Sequence, residues 1–248
     1  IGLHRQEDEG MMVMKMRRNK FYNIKMVLLI CILAVCICVP ANAATLKKGI
    51  YTYSTKTRGE FGKEKTTIYK QKKGGKKKKL VTVYGTIYKF NGIYDNKLLY
   101  VRHYGDCAPE FTAIEYLNLK NNRRVILKRN QEIACMRGRY LLAIGAGDSE
   151  VSPLNIVNIK NKRVKRLANN VMYGGAFISK NGKVYYLECK NYKYNEAKSK
   201  FTVYSCRKDG SGKKKLKTFY CKNRNCAKIT EKYVIMSAYK MKKQIYYF

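Results

Sequence analysis

The chain has 248 residues, 46% of them apolar, which is enough for the core of one sizeable domain and excludes an intrinsically disordered chain. Its 53 Lys and Arg against 16 Asp and Glu give a formal net charge of +37. That charge exceeds what solubility needs and indicates anionic surroundings: a cell-wall polymer, an acidic polysaccharide, a membrane surface or nucleic acid. An inert basic surface is the alternative.

The N-terminal residues predict export. Residues 1–10 contain neither a signal nor a core segment and do not begin with Met, so we expect upstream sequence foreign to the native protein. Residues 11–43 combine a basic stretch, the uncharged apolar run "MVLLICILAVCICV" and an A-x-A pattern ending at Ala43. This is typical of a cleaved signal peptide, since a membrane span needs about 20 apolar residues. A lipoprotein would instead use Cys36, but Val35 stands before it where a small residue is usual.

Removal of residues 1–43 takes away six basic and three acidic side chains and leaves a net charge of +34. An even number of cysteines remains in what we predict to be a secreted or cell-surface protein, so disulfides are allowed, with open connectivity. They are Cys107, Cys135, Cys189, Cys206, Cys221 and Cys226. The C-x4-C spacing of "CKNRNC" and a single histidine in the remaining chain, His103, argue against a zinc site. We predict structural cysteines and no metal.

Short apolar strands recur from residue 45 onward, each after a turn-like pair. Their anchors are Ile50, Leu98, Tyr140, Val184 and Val234. Each is followed by further short strands, so each repeat is interpreted as four antiparallel strands, without a helical stripe. Four strands in about 40–45 residues is typical of a β-propeller blade. We therefore predict an all-β, β-propeller-like array over 44–248, with blades at about 45–83, 84–130, 131–172 and 173–223 and a partial fifth at 224–248.

Two lysine-rich stretches share one phrase: "KKGGKKKKL" at 72–80 and "KDGSGKKKL" at 208–216. Both are predicted to be turns between the third and fourth strands of a blade, because Gly and Asp-Gly supply the backbone that tight hairpins need. Asp209, Gly210, Ser211 and Leu216 match the D-G-S-x-x-x-x-L phrase of propeller repeats. Here the sequence resembles exported bacterial domains related to the YWTD propellers of lipoprotein receptors and to TolB-type repeats. The resemblance implies the fold and carries over no catalytic residue.

The number of repeats leaves the closure of the array open. Either a segment near Thr45 completes the fifth blade, or the chain is a fragment cut inside that blade, which we prefer. If the chain is a fragment, whether a catalytic domain follows Phe248 is open.

Sequence motifs for catalysis are weak. His103, Asp106 and Cys107 could form a Cys/His pair, but their loop does not by itself hold a base against a nucleophile. "IGAGDSE" has Glu150 where the dinucleotide fingerprint needs glycine. We predict no enzyme activity and no cofactor.

Strand order predicts that the lysine-rich turns share one end of the array and form a polyanion-binding face. Its residues are Lys76, Lys77, Lys78, Lys79, Arg123, Arg124, Arg163, Lys213, Lys214 and Lys215. The opposite end holds acids that mark a possible ligand face: Glu60, Asp106, Glu110, Asp148, Glu150 and Glu196. The hypothesis is a secreted binding or scaffold domain that associates with teichoic acid, acidic polysaccharide or another surface protein. The alternatives are an extracellular propeller enzyme or accessory domain, a nucleic-acid binder, and lysines that only keep the hairpins soluble.

Overall fold

A computed structural model describes residues 43–60, 62–104, 111–146, 150–192, 198–222, 225–237 and 242–248. Every regular element in these ranges is a β-strand, so the predicted all-β class is confirmed. The described residues contain no helix with the length and hydropathy that a membrane crossing requires.

The described ranges contain eighteen strands in succession. The first eight are β1 (Thr45–Lys48), β2 (Tyr51–Arg58), β3 (Lys65–Lys72), β4 (Lys77–Tyr84), β5 (Phe90–Tyr94), β6 (Lys97–His103), β7 (Thr112–Asn118) and β8 (Arg124–Arg129). The next seven are β9 (Gln131–Arg137), β10 (Tyr140–Gly145), β11 (Val151–Asn158), β12 (Val164–Ile178), β13 (Lys183–Cys189), β14 (Lys198–Arg207) and β15 (Lys214–Lys222). The last three are β16 (Asn225–Ile229), β17 (Tyr233–Ser237) and β18 (Gln244–Tyr247).

The strands pair antiparallel with their neighbours in sequence. Strands β1–β4 form sheet I, β5–β8 form sheet II, β9–β15 form a seven-stranded sheet, and β16–β18 form sheet V. Hairpin connections explain this order, because each tight turn returns the chain beside the strand it has just left. The predicted architecture of four-stranded antiparallel units is confirmed.

Strand β12 belongs to two units at once. Its first half pairs with β11 up to Met172 and with β13 at Val171, and its second half pairs with β13 from Ala176 to Ile178. A glycine with φ 74°, Gly174, lies in the register shift between the halves. We call the unit of β9–β11 and the first half sheet III, and the unit of the second half and β13–β15 sheet IV. The strand runs through residues 172 and 173, where a blade boundary was expected, because no turn residue interrupts it before this glycine.

Consecutive sheets pack face to face through apolar clusters. Leu98 and Tyr100 of β6 face sheet I, whereas Leu99 between them joins a cluster with Leu141 of sheet III. Successive strand residues point to opposite faces, so every inner sheet supplies two apolar surfaces. The clusters between sheets III and IV and between sheets IV and V repeat this arrangement.

The first strands of successive sheets also contact one another: β1 with β5, β5 with β9, β9 with β12, and β12 with β16. First strands side by side, with sheets stacked face to face, are the arrangement of propeller blades. The predicted fold class, a β-propeller-like array, is therefore confirmed.

Candidate functional site

In each four-stranded sheet, the first turn joins strands one and two and the second turn joins strands three and four. Both turns lie at one end, which we call the turn face. The connections between strands two and three and between successive sheets lie at the other end, the loop face. Backbone hydrogen bonds join the first and second turns within sheets I, II and III. They run from Lys73 N to Ile50 O (2.8 Å), from Leu119 N to Asn96 O (2.7 Å) and from Ile159 N to Arg139 O (2.8 Å). The two turns of each of these sheets are thus held side by side.

The second turns of sheets II and III are built alike. Asn118 Oδ1 accepts a hydrogen bond from Lys120 N, and Asn158 Oδ1 accepts one from Lys160 N, both at 3.0 Å. Such side-chain to backbone bonds stabilise turns. The repetition gives the two turns one shape, which presents Lys and Arg to solvent at equivalent positions.

The two lysine-rich stretches also form turns, as their sequences predicted. Gly74, with φ 72°, lies between β3 and β4, and Gly210, with φ 76°, lies between β14 and β15. In the latter turn Asp209 Oδ1 accepts hydrogen bonds from Ser211 N at 2.9 Å and from Ser211 Oγ at 2.7 Å. The lysines follow at the start of the next strand and are exposed.

All ten predicted polyanion-binding residues are exposed in these turns or in the strands that follow them. Lys76–Lys79 belong to the β3–β4 turn and β4, Arg123 and Arg124 to the β7–β8 turn and β8, Arg163 to the β11–β12 turn, and Lys213–Lys215 to the β14–β15 turn and β15.

Several of these cations have intramolecular partners. Arg124 Nε lies 3.5 Å from Glu115 Oε2, and Lys213 Nζ lies 3.9 Å from Glu188 Oε2. Lys77 Nζ lies 4.6 Å from the ring centre of Tyr69 in a cation–π contact. These three cations therefore already interact with acidic or aromatic groups of the protein, which reduces the charge that they offer to a ligand.

A cleft opens on the turn face where sheets III and IV meet. Three adjoining cavities, of about 460, 560 and 380 Å³, share Tyr140 and Lys208 as lining residues. Other cations around them come from turns and from the strand ends beside those turns: Arg137, Arg139, Arg163, Lys165, Lys180, Lys183 and Arg207. Of the predicted residues, Arg163 lines this cleft.

The ring of Tyr140 holds cations near the cleft. Arg139 Cζ lies 5.2 Å and Lys208 Nζ lies 5.7 Å from the ring centre. Asp209 contributes a carboxylate to the lining, and its pKa is lowered by the hydrogen bonds from Ser211 and, to a smaller extent, by Lys165. Asp209 is the one acidic residue among the described residues of this lining, against eight Lys and Arg side chains, so positive charge is in excess around Tyr140.

The loop face carries the acids that were predicted to mark a ligand. Glu60 is exposed after β2, and Glu150 is half-buried before β11. Asp106, Glu110, Asp148 and Glu196 lie outside the described residues, as does Cys107, so the structure describes neither their grouping nor the Cys107–His103 pair. In the described parts of the chain, no group of three His, Cys, Asp or Glu side chains could hold a metal ion.

Sequence reasoning missed most of the cleft. Arg139 and Lys180 belong to the first turn of a sheet, between β9 and β10 and between β12 and β13, whereas the lysine runs directed attention to second turns. The available signals were "RGRY" and "KNGK", which place cations in first turns at the same end of the array. Their meeting across two sheets depends on how the sheets pack.

No protein-family model matches this sequence, and no curated protein matches it. Solved structures with a similar fold include the β-propeller domain of the Trilobed protease from Pyrococcus furiosus, 12% identical with a TM-score of 0.48, which matches over 83% of this chain and 68% of that domain. TolB from Acinetobacter baumannii is 12% identical with a TM-score of 0.42, over 73% of this chain and 45% of TolB. Pyrococcus horikoshii acylaminoacyl peptidase is 12% identical with a TM-score of 0.47, over 82% of this chain and 37% of the peptidase. At such identities the likeness concerns the fold alone.

Proposed function

We propose that the protein is a secreted, non-catalytic binding or scaffold domain that holds an anionic polymer, a teichoic acid or an acidic polysaccharide, on its turn face. The cleft beside Tyr140 is the observation that carries the proposal. Arg139, Arg163 and Lys208 reach it from three different turns, so their charges add up within one concave surface. A concave surface with one sign of charge focuses its field on an approaching polyanion.

Binding to a polyanion is tested by its dependence on salt, because contacts between cations and the polymer release counterions. The triple variant Arg139→Gln/Arg163→Gln/Lys208→Gln removes three charges from the cleft. Retention on immobilised heparin or teichoic acid should weaken, and the slope of log affinity against log salt should fall by about two to three.

A matched control removes three charges at the other end of sheet IV. Lys198, Lys200 and Lys222 are exposed, and Lys198 pairs with Lys222 at the loop end of β14 and β15. The variant with all three replaced by Gln should keep most of the retention and most of the slope. If the wild-type protein is not retained, or if both triple variants behave like it, the turn face is a solvated rim and the proposal is wrong.

Export is a separate part of the proposal. It is supported by the apolar run and the A-x-A pattern that ends at Ala43. N-terminal sequencing of exported protein should give a chain beginning at Ala44. A lipid-bearing chain beginning at Cys36 would contradict this and indicate a lipoprotein.

A further inference from the structure

A second cavity lies at the loop end of the array, where the first strands of sheets II, III and IV come together. It encloses about 230 Å³. Its lining residues are Tyr88, Lys89, Asn91, Val101, His103, Glu132, Ile133 and Tyr173. Val101 and Ile133 supply an apolar part of the lining, and the other six side chains are polar or aromatic.

A hydrogen bond between two strands that are not neighbours in the sheet shapes this cavity. The Tyr173 hydroxyl donates a hydrogen bond to Glu132 Oε2 at 2.6 Å. This bond, together with burial, raises the pKa of Tyr173 to about 12. The phenol is therefore a donor at neutral pH. The bond joins the start of β9 to the middle of β12, just before Gly174, and orients the Glu132 carboxylate in the cavity lining.

Two tyrosine rings remain accessible at the cavity. Tyr88 and Tyr173 are each 53% exposed. Both are nevertheless held in position, Tyr88 by a ring contact and Tyr173 by the hydrogen bond of its hydroxyl group. Tyr88 packs against His103 with the ring centres 5.2 Å apart and the planes at 67°. Exposed rings with fixed positions provide apolar surface against which a ligand can pack at small conformational cost.

The polar groups of the cavity include both donors and acceptors. Asn91 Oδ1 is a buried acceptor without a hydrogen-bond partner among the described residues. Burial lowers the pKa of His103, with a smaller opposing effect from Glu132, so the imidazole is neutral at pH 7 and has one donor and one acceptor nitrogen. A buried polar atom without a partner costs free energy, which a ligand donor would recover.

Charge limits what this cavity can bind. A phosphate or carboxylate ligand would meet the carboxylate of Glu132, and an ammonium ligand would meet Lys89 and the net charge of +37. A neutral ligand with several hydroxyl groups satisfies donors and acceptors together and packs its C–H surface on tyrosine. The volume corresponds to about eight waters of ~30 Å³ each, which suits one sugar ring.

We propose that the cavity formed by Tyr88, His103, Glu132 and Tyr173 is a binding subsite for one residue of an uncharged carbohydrate. The site lies on the loop face and is independent of polyanion binding on the turn face. The two faces would let the protein hold an anionic polymer and a neutral glycan at the same time.

The test is a titration of the whole protein with the neutral trisaccharides of glucose, galactose, mannose and N-acetylglucosamine, followed by ligand-observed NMR. At least one should bind, with an affinity that is unchanged between about 0.1 and 0.5 M salt because no counterion is released. Glu132→Gln, which changes an acceptor oxygen into a donor amide, should weaken binding at least tenfold. Tyr173→Phe should weaken it as well.

Glu64→Gln is the matched control, because it removes the same charge from the loop face outside the cavity lining. This variant should bind the sugar like the wild type, and Glu132→Gln should keep its retention on heparin and its unfolding midpoint. The inference is overturned if none of the four sugars binds, if Glu132→Gln binds as well as Glu64→Gln, or if a glucuronate-containing trisaccharide binds more tightly than the neutral ones.

Discussion

At the scale of single residues, a buried ion pair ties sheet I to sheet II. Arg102 donates to Glu115 Oε1 through Nη2 at 2.7 Å and Nε at 2.9 Å, and its Nη1 donates to Tyr84 O of sheet I at 3.0 Å. The Arg102 side chain is 7% exposed and that of Glu115 is fully buried. Burial, reinforced by Glu115, raises the pKa of neighbouring Tyr100 well above its usual range. A buried polar connection thus lies beside the apolar cluster between the two sheets.

Removal of one partner should leave an uncompensated charge in that interface. We expect Arg102→Met to lower the free energy of unfolding by about 3–5 kcal/mol, measured by urea denaturation. The control is Arg123→Met on an exposed turn, with a change within about 0.5 kcal/mol. Equal effects of the two substitutions would contradict a structural role for the buried pair.

Also at the scale of single residues, four cysteines differ from the sequence-based expectation. Cys135, Cys189, Cys206 and Cys226 are free thiols, so the disulfide pairing that an even count allowed does not form at these positions. Burial raises the pKa of Cys189 and of Cys206 to about 11 and that of Cys226 to about 12. These thiols stay protonated at neutral pH. Their contribution to stability is present below the unfolded pKa of about 8.5 and is lost as pH rises through 11 to 12.

Alkylation measures this protection. At about pH 8 a pKa near 11 lowers the thiolate fraction by a factor of ~100 relative to an unfolded thiol. Iodoacetamide should therefore modify Cys189, Cys206 and Cys226 slowly in the native protein and rapidly in urea, as followed by mass spectrometry. Cys135, which is half-buried, is the internal comparison and should react sooner. Rapid labelling of all four in the native state would show that the thiols are not buried as described.

At the scale of elements, the connection from sheet I to sheet II depends on one glycine. Gly85 has φ 88°, and its N–H donates to Glu64 O at 2.7 Å. A Cβ at this position would lie 2.0 Å from His103 O, which belongs to the backbone that pairs with Thr86. Backbone atoms cannot move aside as a flexible side chain would, so this position requires glycine.

Gly85→Ala should therefore cost more than the strain of a positive φ alone. The control Gly49→Ala has φ 58° but no atom within 4 Å of the added Cβ, so it measures that strain, about 1–2 kcal/mol. We expect Gly85→Ala to be destabilised by at least ~2 kcal/mol beyond the control, or to fail to fold. Equal urea midpoints for the two variants would contradict the close approach at His103.

Much of the fold follows from local sequence patterns. Strands with period two and Gly or Asp-Gly turns predict hairpins, because both features act within a few residues, and their recurrence predicts the array. The run through residues 172 and 173 could not be predicted, because a glycine can bend a continuous strand as well as end it.

The candidate sites were harder to predict than the fold. Arg163 was expected on the turn face, but its meeting with Arg139 and Lys208 depends on the packing of two sheets. Glu132 and Tyr173 are 41 residues apart in the chain and form no motif. Contacts across sheets come from tertiary structure, which a single sequence does not display.

At the scale of the whole molecule, charge and chemistry divide between the two ends. The turn face presents Lys and Arg from successive turns, and the cleft beside Tyr140 concentrates them. The loop face carries the cavity with Glu132, His103 and two exposed tyrosines. Under the proposed function, a long-range field attracts a polyanion to one end, and under the further inference short-range hydrogen bonds select a neutral ligand at the other.

Lysine footprinting tests the central claim, polyanion binding by the turn face, most directly. The protein is acetylated with and without heparin or teichoic acid, and modification is measured at each lysine by mass spectrometry. We predict protection of turn-face lysines such as Lys76, Lys208 and Lys214, with little change at Lys198, Lys200 and Lys222 on the loop side. Equal protection at both ends, or none at either, would contradict a dedicated polyanion-binding face.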